Sequence, residues 1–304
     1  MTPVALNDGL SQISLLFIYA AMLVYTVSFL SFSWQLTRLS SDKKKVRAAA
    51  TKLERVGIAL LIVADVFHGV GVVLRGIAAS RVPWANMYEF SITGSFIVVT
   101  IFLIALKIRD IRLIAAFVSG FNLLILGVAT TIFYVRVNPL PPALQSYWLV
   151  IHVMVAVLAT AFFNIAAALS IAYIFKTAKW VEKSKLKLVG AMRRILGLFP
   201  NEEKLERLAY RFNIIGFILW TFTLIAGAIW AERAWHRYWG WDTKEVWTFI
   251  IWTIYAGYLH ANAARGWNGK RSAWLAIVGF VAILFNFTVV NLFFKGLHVY
   301  SGLK

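Results

Sequence analysis

Long apolar runs separated by short polar stretches set the pattern of this 304-residue chain. They fall near 10–36, 56–75, 88–106, 112–134, 148–175, 212–231, 245–262 and 273–294. A hydrocarbon core of roughly 30 Å takes about 20 apolar residues as a helix, and a helix satisfies its own backbone there. The pattern predicts an all-α, polytopic integral membrane protein with about eight transmembrane helices. One sizeable hydrophilic stretch, 176–211, interrupts it. Within that stretch Leu188, Met192, Ile195, Leu196 and Phe199 recur at helical spacing among Lys and Arg, as in an amphipathic helix lying on a membrane surface. Pro200-Asn201 should end that helix, and EEKLERLAYRF should start another that enters the sixth span. The chain divides on this reading into N-terminal helices, 1–79, and a core, 80–304, with 176–211 as a cytoplasmic linker.

Composition agrees with a membrane home: 61% of residues are hydrophobic and the mean hydropathy is +0.74. The net charge of +18 raises the question of nucleic acid, but its distribution argues against that reading. Seven Lys/Arg fall in 37–55, three in 107–112, ten in 176–211 and three in 262–272, leaving eight elsewhere. By the positive-inside rule these four segments are cytoplasmic and meet anionic lipid. Both termini, the loops 76–87 and 135–147 and the Trp-rich segment 234–247 then lie outside. The opening MTPVALNDGL carries an acid and no Lys or Arg, unlike the basic start of a cleaved signal peptide. The chain has no cysteine, so any thiol in its chemistry must come from a partner.

The densest chemistry is AWHRYWGWDTKEVW, 234–247. Six of the thirteen Trp lie between Trp230 and Trp252, more than an aromatic belt at a helix end accounts for. Rigid indoles at Trp235, Trp239, Trp241 and Trp247, beside Asp242 and Glu245, suit a large planar apolar ligand. Two further external segments border the same side. VRVNPLPPALQSY (135–147) holds three of the six prolines and is expected to be stiff, and SRVPWANMYEF (80–90) places Glu89 at the mouth of the third span. All three could build one external pocket.

Histidine is the remaining chemical resource. His152 and His298 lie near outer ends of spans, and His236 lies inside the Trp-rich loop. His260 ends the seventh span near the inner face, and His68 is buried in the second span one turn after Asp65. Neutral imidazole is the usual axial ligand of haem iron, and two outer histidines flanking an indole wall would suit a porphyrin. Each could equally be an interfacial residue bonded to backbone. Glu245, Phe249, Trp252, Ala256 and His260 share one helical stripe about 22 Å long, which is either a route to a deep histidine or a packing surface. Asp65 and His68, at i and i+3, could satisfy each other.

The Trp-rich loop resembles the WWD signature of haem-handling proteins, close to WGxYWxWDPKExW. LQSYWLVIH (144–152), YLH (258–260) followed by RGWNGKRSA, VNLFFKGLHVYSG (290–302) and PWANMYE (83–89) resemble the CcsA/ResC family of system II cytochrome c maturation. His236 stands where that family usually has Gly, and Thr243 where it has Pro.

The resemblance implies a cytochrome c haem lyase or synthase component, active with a CcsB/ResB-type membrane partner, that attaches haem b to the C-x-x-C-H segment of an apocytochrome c. It implies His152 and His298 as outer iron ligands acting at the catalytic site, and His260 as a transmembrane ligand. The second transmembrane ligand would come from the partner, or in-chain from His68. Trp235, Trp239, Trp241, Trp247, Asp242, Glu245 and Arg237 would surround the haem, with Arg233, Arg237 or Lys244 near its propionates. Thioredoxin-like proteins would keep the client thiols reduced. The setting would be a bacterial cytoplasmic or thylakoid membrane. A CcmC- or CcmF-like role, a b-type electron-transfer subunit and a transporter of another apolar molecule are the alternatives.

Overall fold

A computed structural model describes residues 6–39, 41, 44–140, 144–264, 267–294 and 296–297, without the side chains of 44–48 and 188. The described residues are helical, with no strand. In order they are α1 (Asp8–Leu39), α2 (Lys44–Ala79), α3 (Met87–Ile108), α4 (Ala115–Thr131), α5 (Tyr147–Lys176), α6 (Lys179–Lys183), α7 (Lys187–Leu198), α8 (Glu202–Trp235), α9 (Thr243–Ala263), α10 (Lys270–Phe285) and α11 (Asn291–Phe293). A π-helical segment, Asn286–Val290, joins the last two.

Seven of the described helices are long and apolar enough to cross a membrane, among them α1, α3, α5 and α8. The expected seventh span, α9, forms as a helix of 21 residues, about 31 Å at 1.5 Å per residue. Lys244, Glu245 and His260 make it less apolar than the other seven. Six of the expected spans fall inside longer helices, α2 beginning at Lys44 and α8 at Glu202, because charged residues continue a helix beyond the apolar zone; the expected 112–134 and 273–294 instead end short, at Thr131 and Phe293. The amphipathic stretch forms α7, and Asn201 caps α8 by accepting the Lys204 N–H at 3.1 Å. Lys176, at the end of α5, donates to the Leu196 and Phe199 carbonyls (3.2 and 2.7 Å) and so closes the C-terminus of α7.

α1 packs along α2, and α5 along α8. α5 is central because its buried residues include Ala159, Ala161, Ala166, Ala167 and Ser170, small enough for neighbouring helices to approach closely. It also meets α3 and α10.

The loops sort to two ends. At the basic end Arg112 pairs with Glu54 (2.6 Å) and Asp110 (2.8 Å), and Glu206 accepts the Gly269 N–H at 2.6 Å. The Arg112 guanidinium holds the Asp110 carboxyl below the ordinary aspartate range. At the opposite end, which carries the Trp-rich loop, Asn7 bonds Ala78 and Arg233 lies over the Tyr147 ring.

A buried ion network fixes that end. Arg75 and Glu89 have no exposed side-chain surface and pair at 3.1 Å, with Arg81 on the same carboxylate. Arg75 also donates to Ser11 Oγ at 2.8 Å and to the Val135 carbonyl at 2.9 Å, joining α1, α2, α3 and the start of the Pro-rich loop. Truncating one member leaves a buried charge unmatched, so Glu89→Ala is expected to cost about 3–5 kcal/mol, against roughly 0–1 for Glu203→Ala in the exposed Arg207–Glu203 pair of α8. Thermal unfolding of both variants in detergent checks this; equal shifts would contradict it.

Candidate functional site

α8 ends at Trp235, where His236 takes the left-handed conformation (φ 56°, ψ 36°) and donates its N–H to the Glu232 carbonyl at 2.7 Å. This is the helix-terminating geometry that glycine adopts most cheaply. Five residues on, Trp241 is also left-handed (φ 59°), an uncommon state for a bulky side chain. Glu245 holds it there. Its Oε2 accepts the N–H of Gly240 at 2.8 Å and of Asp242 at 3.1 Å, bracketing Trp241 and turning the indole out to 77% exposure.

Asp242 caps α9 and forms a capping box with Glu245. Its Oδ1 also accepts the N–H of Leu297 at 3.0 Å. The approach is so close that a Cβ on Gly296 would lie 2.2 Å from that oxygen. Both carboxylates therefore shape the loop. His298 lies outside the described residues.

The loops 80–90, 135–147 and 236–245 meet over a cavity of about 270 Å³. Trp84 to Met87, Leu144, Leu149, Tyr238 and Trp239 form its mouth; Asn164, Trp220 and Phe280 lie at its far end. His152 and Asn164 are twelve residues apart on α5, so the cavity reaches about 18 Å into the bundle. Its walls are mostly apolar, yet Ser91 Oγ, Asn122, Asn164 Oδ1, Glu245 Oε1 and Asn286 Oδ1 line it without hydrogen-bond partners. Buried polar atoms left in that state point to a ligand or to water.

His152 is half-buried on the cavity wall. Its Nδ1 lies 2.9 Å from the Thr223 carbonyl, which makes Nδ1 the N–H and Nε2 the lone-pair nitrogen. Its ring stacks on Trp230 (5.9 Å, 14°). Gly227 gives it room, since a Cβ there would lie 2.7 Å from His152 Cε1. Lys244 also lines the cavity. Its Nζ donates to the Asn286 carbonyl (3.0 Å), which belongs to the π segment, and to Asn291 Oδ1 (2.8 Å).

The structure brings His152, Trp239, Lys244 and Glu245 to the cavity and places the other described candidates elsewhere. Trp235 packs on Trp230 and Trp247 on Phe285, both in hydrophobic clusters. Arg237 lies against the Gly240 backbone. Trp239, Phe249 and Trp252 continue as edge and stacked contacts along an outer face of α9, where Phe249 and His260 are exposed. Beyond Glu245, which lines the cavity, the stripe read from sequence is outer face and packing surface, not cavity wall. His68 is fully buried, is not among the residues lining the cavity, and bonds Tyr25 rather than Asp65. Sequence reasoning missed Trp230, although Thr223, Gly227 and Trp230 at i, i+4 and i+7 mark one face of α8 built around a small residue.

The cytochrome c assembly protein family matches residues 84–298. The CcsA cytochrome c biogenesis proteins of a Prochlorococcus marinus strain and of Guillardia theta are 34% and 36% identical to the chain. The first alignment covers 80% of this chain and 83% of its relative, the second 76% and 80%. The chain belongs to the CcsA family. The CcsA of Gloeobacter violaceus, 32% identical, covers 76% of this chain and 81% of its own length. A solved cytochrome c heme lyase CcmF shares the fold of this CcsA-family chain, with a TM-score of 0.67 at 14% identity. The match takes in all of this chain, which spans half the length of that CcmF.

Two outcomes follow for this CcsA-family site. His236→Gly is expected to stabilise the protein by about 1 kcal/mol by relieving a left-handed residue, seen as a raised Tm. Gly227→Ala is expected to push His152 off the Thr223 carbonyl and, by overpacking, to cost about 1–3 kcal/mol, seen as a lowered Tm. An unchanged Tm would show that the close approach of Gly227 to His152 does not matter.

Proposed function

We infer that the chain takes haem b as substrate at its Trp-rich end and presents it to an apocytochrome c for thioether formation, as one component of a system II synthase with a CcsB/ResB-type membrane protein. The observation that carries this reading is His152. Its Nδ1 is committed to a carbonyl, and its Nε2 carries the lone pair that an axial ligand to haem iron needs. His298 is the second proposed ligand. Asp242 supports that pairing, since it bonds the amide of Leu297, the residue preceding His298.

Lys244 is the cation proposed for a propionate, because it lines the cavity while Arg233 lies over Tyr147 and Arg237 against Gly240. Trp239 and Trp230 would pack the ring. His260 would hold haem at the basic end together with a histidine of the partner. Exposure on the outside of the bundle suits a ligand shared with a second membrane protein. The distribution of Lys and Arg makes the Trp-rich end extracytoplasmic, in a bacterial cytoplasmic or thylakoid membrane.

Thioether formation joins a client thiol sulfur to one vinyl carbon and leaves the thiol hydrogen on the other. It consumes no net electrons and asks no acid or base of this chain. The residues here supply position, orientation and exclusion of water. The thiols must arrive reduced, which a thioredoxin-like protein would ensure.

The test is coexpression with a CcsB-type partner and a C-x-x-C-H reporter in a host stripped of its own maturation system. His152→Ala or His298→Ala is expected to drop holocytochrome to background, with partial restoration by imidazole. Normal yield from both variants refutes the pair.

A further inference from the structure

The N-terminal helices contain a buried polar cluster that the cavity chemistry does not use. Asp65, on α2, accepts from Tyr25 OH on α1 at 3.2 Å and from Thr100 Oγ1 on α3 at 2.9 Å. The same Tyr25 hydroxyl lies 3.3 Å from His68 Nδ1. Tyr25 and His68 are fully buried and Asp65 nearly so. Among the described residues the ion pairs do not include Asp65. From α4 the Asn122 amide faces the Tyr25 hydroxyl without closing a hydrogen bond, and Asn122 also lines the cavity. An ionisable group at membrane depth without a cation partner is costly, and it marks a site more often than a scaffold.

Counting protons shows what is missing. Tyr25 has one hydroxyl proton and two facing acceptors, Asp65 Oδ1 and His68 Nδ1. If neutral His68 carries its proton on Nε2, the carboxylate and Nδ1 compete for that hydroxyl and one goes unmet. If it carries the proton on Nδ1, both contacts close but the Nε2 lone pair is orphaned, and Nε2 has no hydrogen-bond partner. One added proton resolves this. Placed on Asp65, it removes the charged competitor and leaves the Tyr25 hydroxyl for His68 Nδ1.

We propose that Asp65, Tyr25 and His68 form a binding site for one exchangeable proton, reached from the cavity through Asn122. The proton comes from cavity water and returns to it; no electron moves. The site stands on the contacts around Tyr25 and is independent of what the cavity binds.

The test is a pH-titrated infrared difference spectrum of the purified full chain in D₂O and H₂O, reading the C=O stretch of a protonated carboxyl. The expected result is a band lost in Asp65→Asn, whose midpoint moves by about one pH unit in Tyr25→Phe. Hydrogen–deuterium exchange of that band should slow in Asn122→Leu. Tyr25→Phe keeps the packing ring, so the test survives should Asp65→Asn fail to fold. A titration with the same midpoint in Tyr25→Phe, or no titrating carboxyl absent from Asp65→Asn, overturns the site. Exchange unchanged in Asn122→Leu overturns the route.

Discussion

A charge held between helices must be matched where it stands, and the match of Arg75 with Glu89 is what the Trp-rich end depends on. Neither side chain reaches the surface. A buried pair of this kind is a poor source of stability, since desolvation offsets most of the attraction. What it supplies here is position. Glu89 accepts from Arg75, Arg81 and the Ala85 amide, which draws the 80–86 loop down onto the start of α3. Trp84 to Met87, the cavity wall, belong to that loop and the first turn after it. Through Ser11 and Val135 the same guanidinium fixes α1 and the Pro-rich segment. Through these contacts the knot fixes the relative places of α1, the 80–86 loop and the Pro-rich segment beside the cavity.

Glu245 repeats the device on the other side of the mouth. Asn86 caps α3 and Glu89 follows three residues later; Asp242 caps α9 and Glu245 follows three residues later. In each case the later carboxylate reaches back to amides of the preceding loop. An acid at that place satisfies orphan N–H groups and also favours the positive end of the helix. The second instance costs more in the backbone, because Trp241 is held left-handed between the two amides. Strain of that size persists only when its surroundings over-determine it. The two bonds from Glu245 and the Asp242 cap do so.

The span pattern and the amphipathic α7 were legible because both rest on local periodicity, and local order survives folding. The three-loop cavity was legible in outline, since alternating Lys/Arg content sorts the loops to ends. The roles of single residues were less so. Trp235 and Trp247 read as ligand wall and are packing, while Trp230, outside the signature, carries His152; which face of a helix an indole uses is a tertiary choice. Asp65 and His68 share a face at i and i+3, yet Tyr25 from α1 takes the place each would have had for the other. Arg75 and Glu89 were visible as charges near apolar runs, but their pairing crosses two helices and no period announces it. The reach of Asp242 to Leu297 spans 55 residues and is equally silent in sequence.

The helix starts add a step. α3, α5 and α9 all begin at the Trp-rich end, capped by Asn86, Ser146 and Asp242. Each start carries roughly half a positive charge in its unsatisfied N–H groups. Glu89 and Glu245 answer two of these fields from inside the fold, whereas α5 has no acid in its first turn. Its next turn carries His152, whose Nδ1 proton is taken up by a carbonyl. Lys244 and the unpartnered Glu245 Oε1 line the same mouth, so a cation and a carboxylate stand together above mostly apolar walls. A ligand with a polar edge and an apolar body meets both conditions at once, edge towards the mouth and body towards the apolar walls. A wholly apolar molecule would leave those polar groups unanswered, and for that reason the lining favours an amphipathic ligand over a purely apolar one.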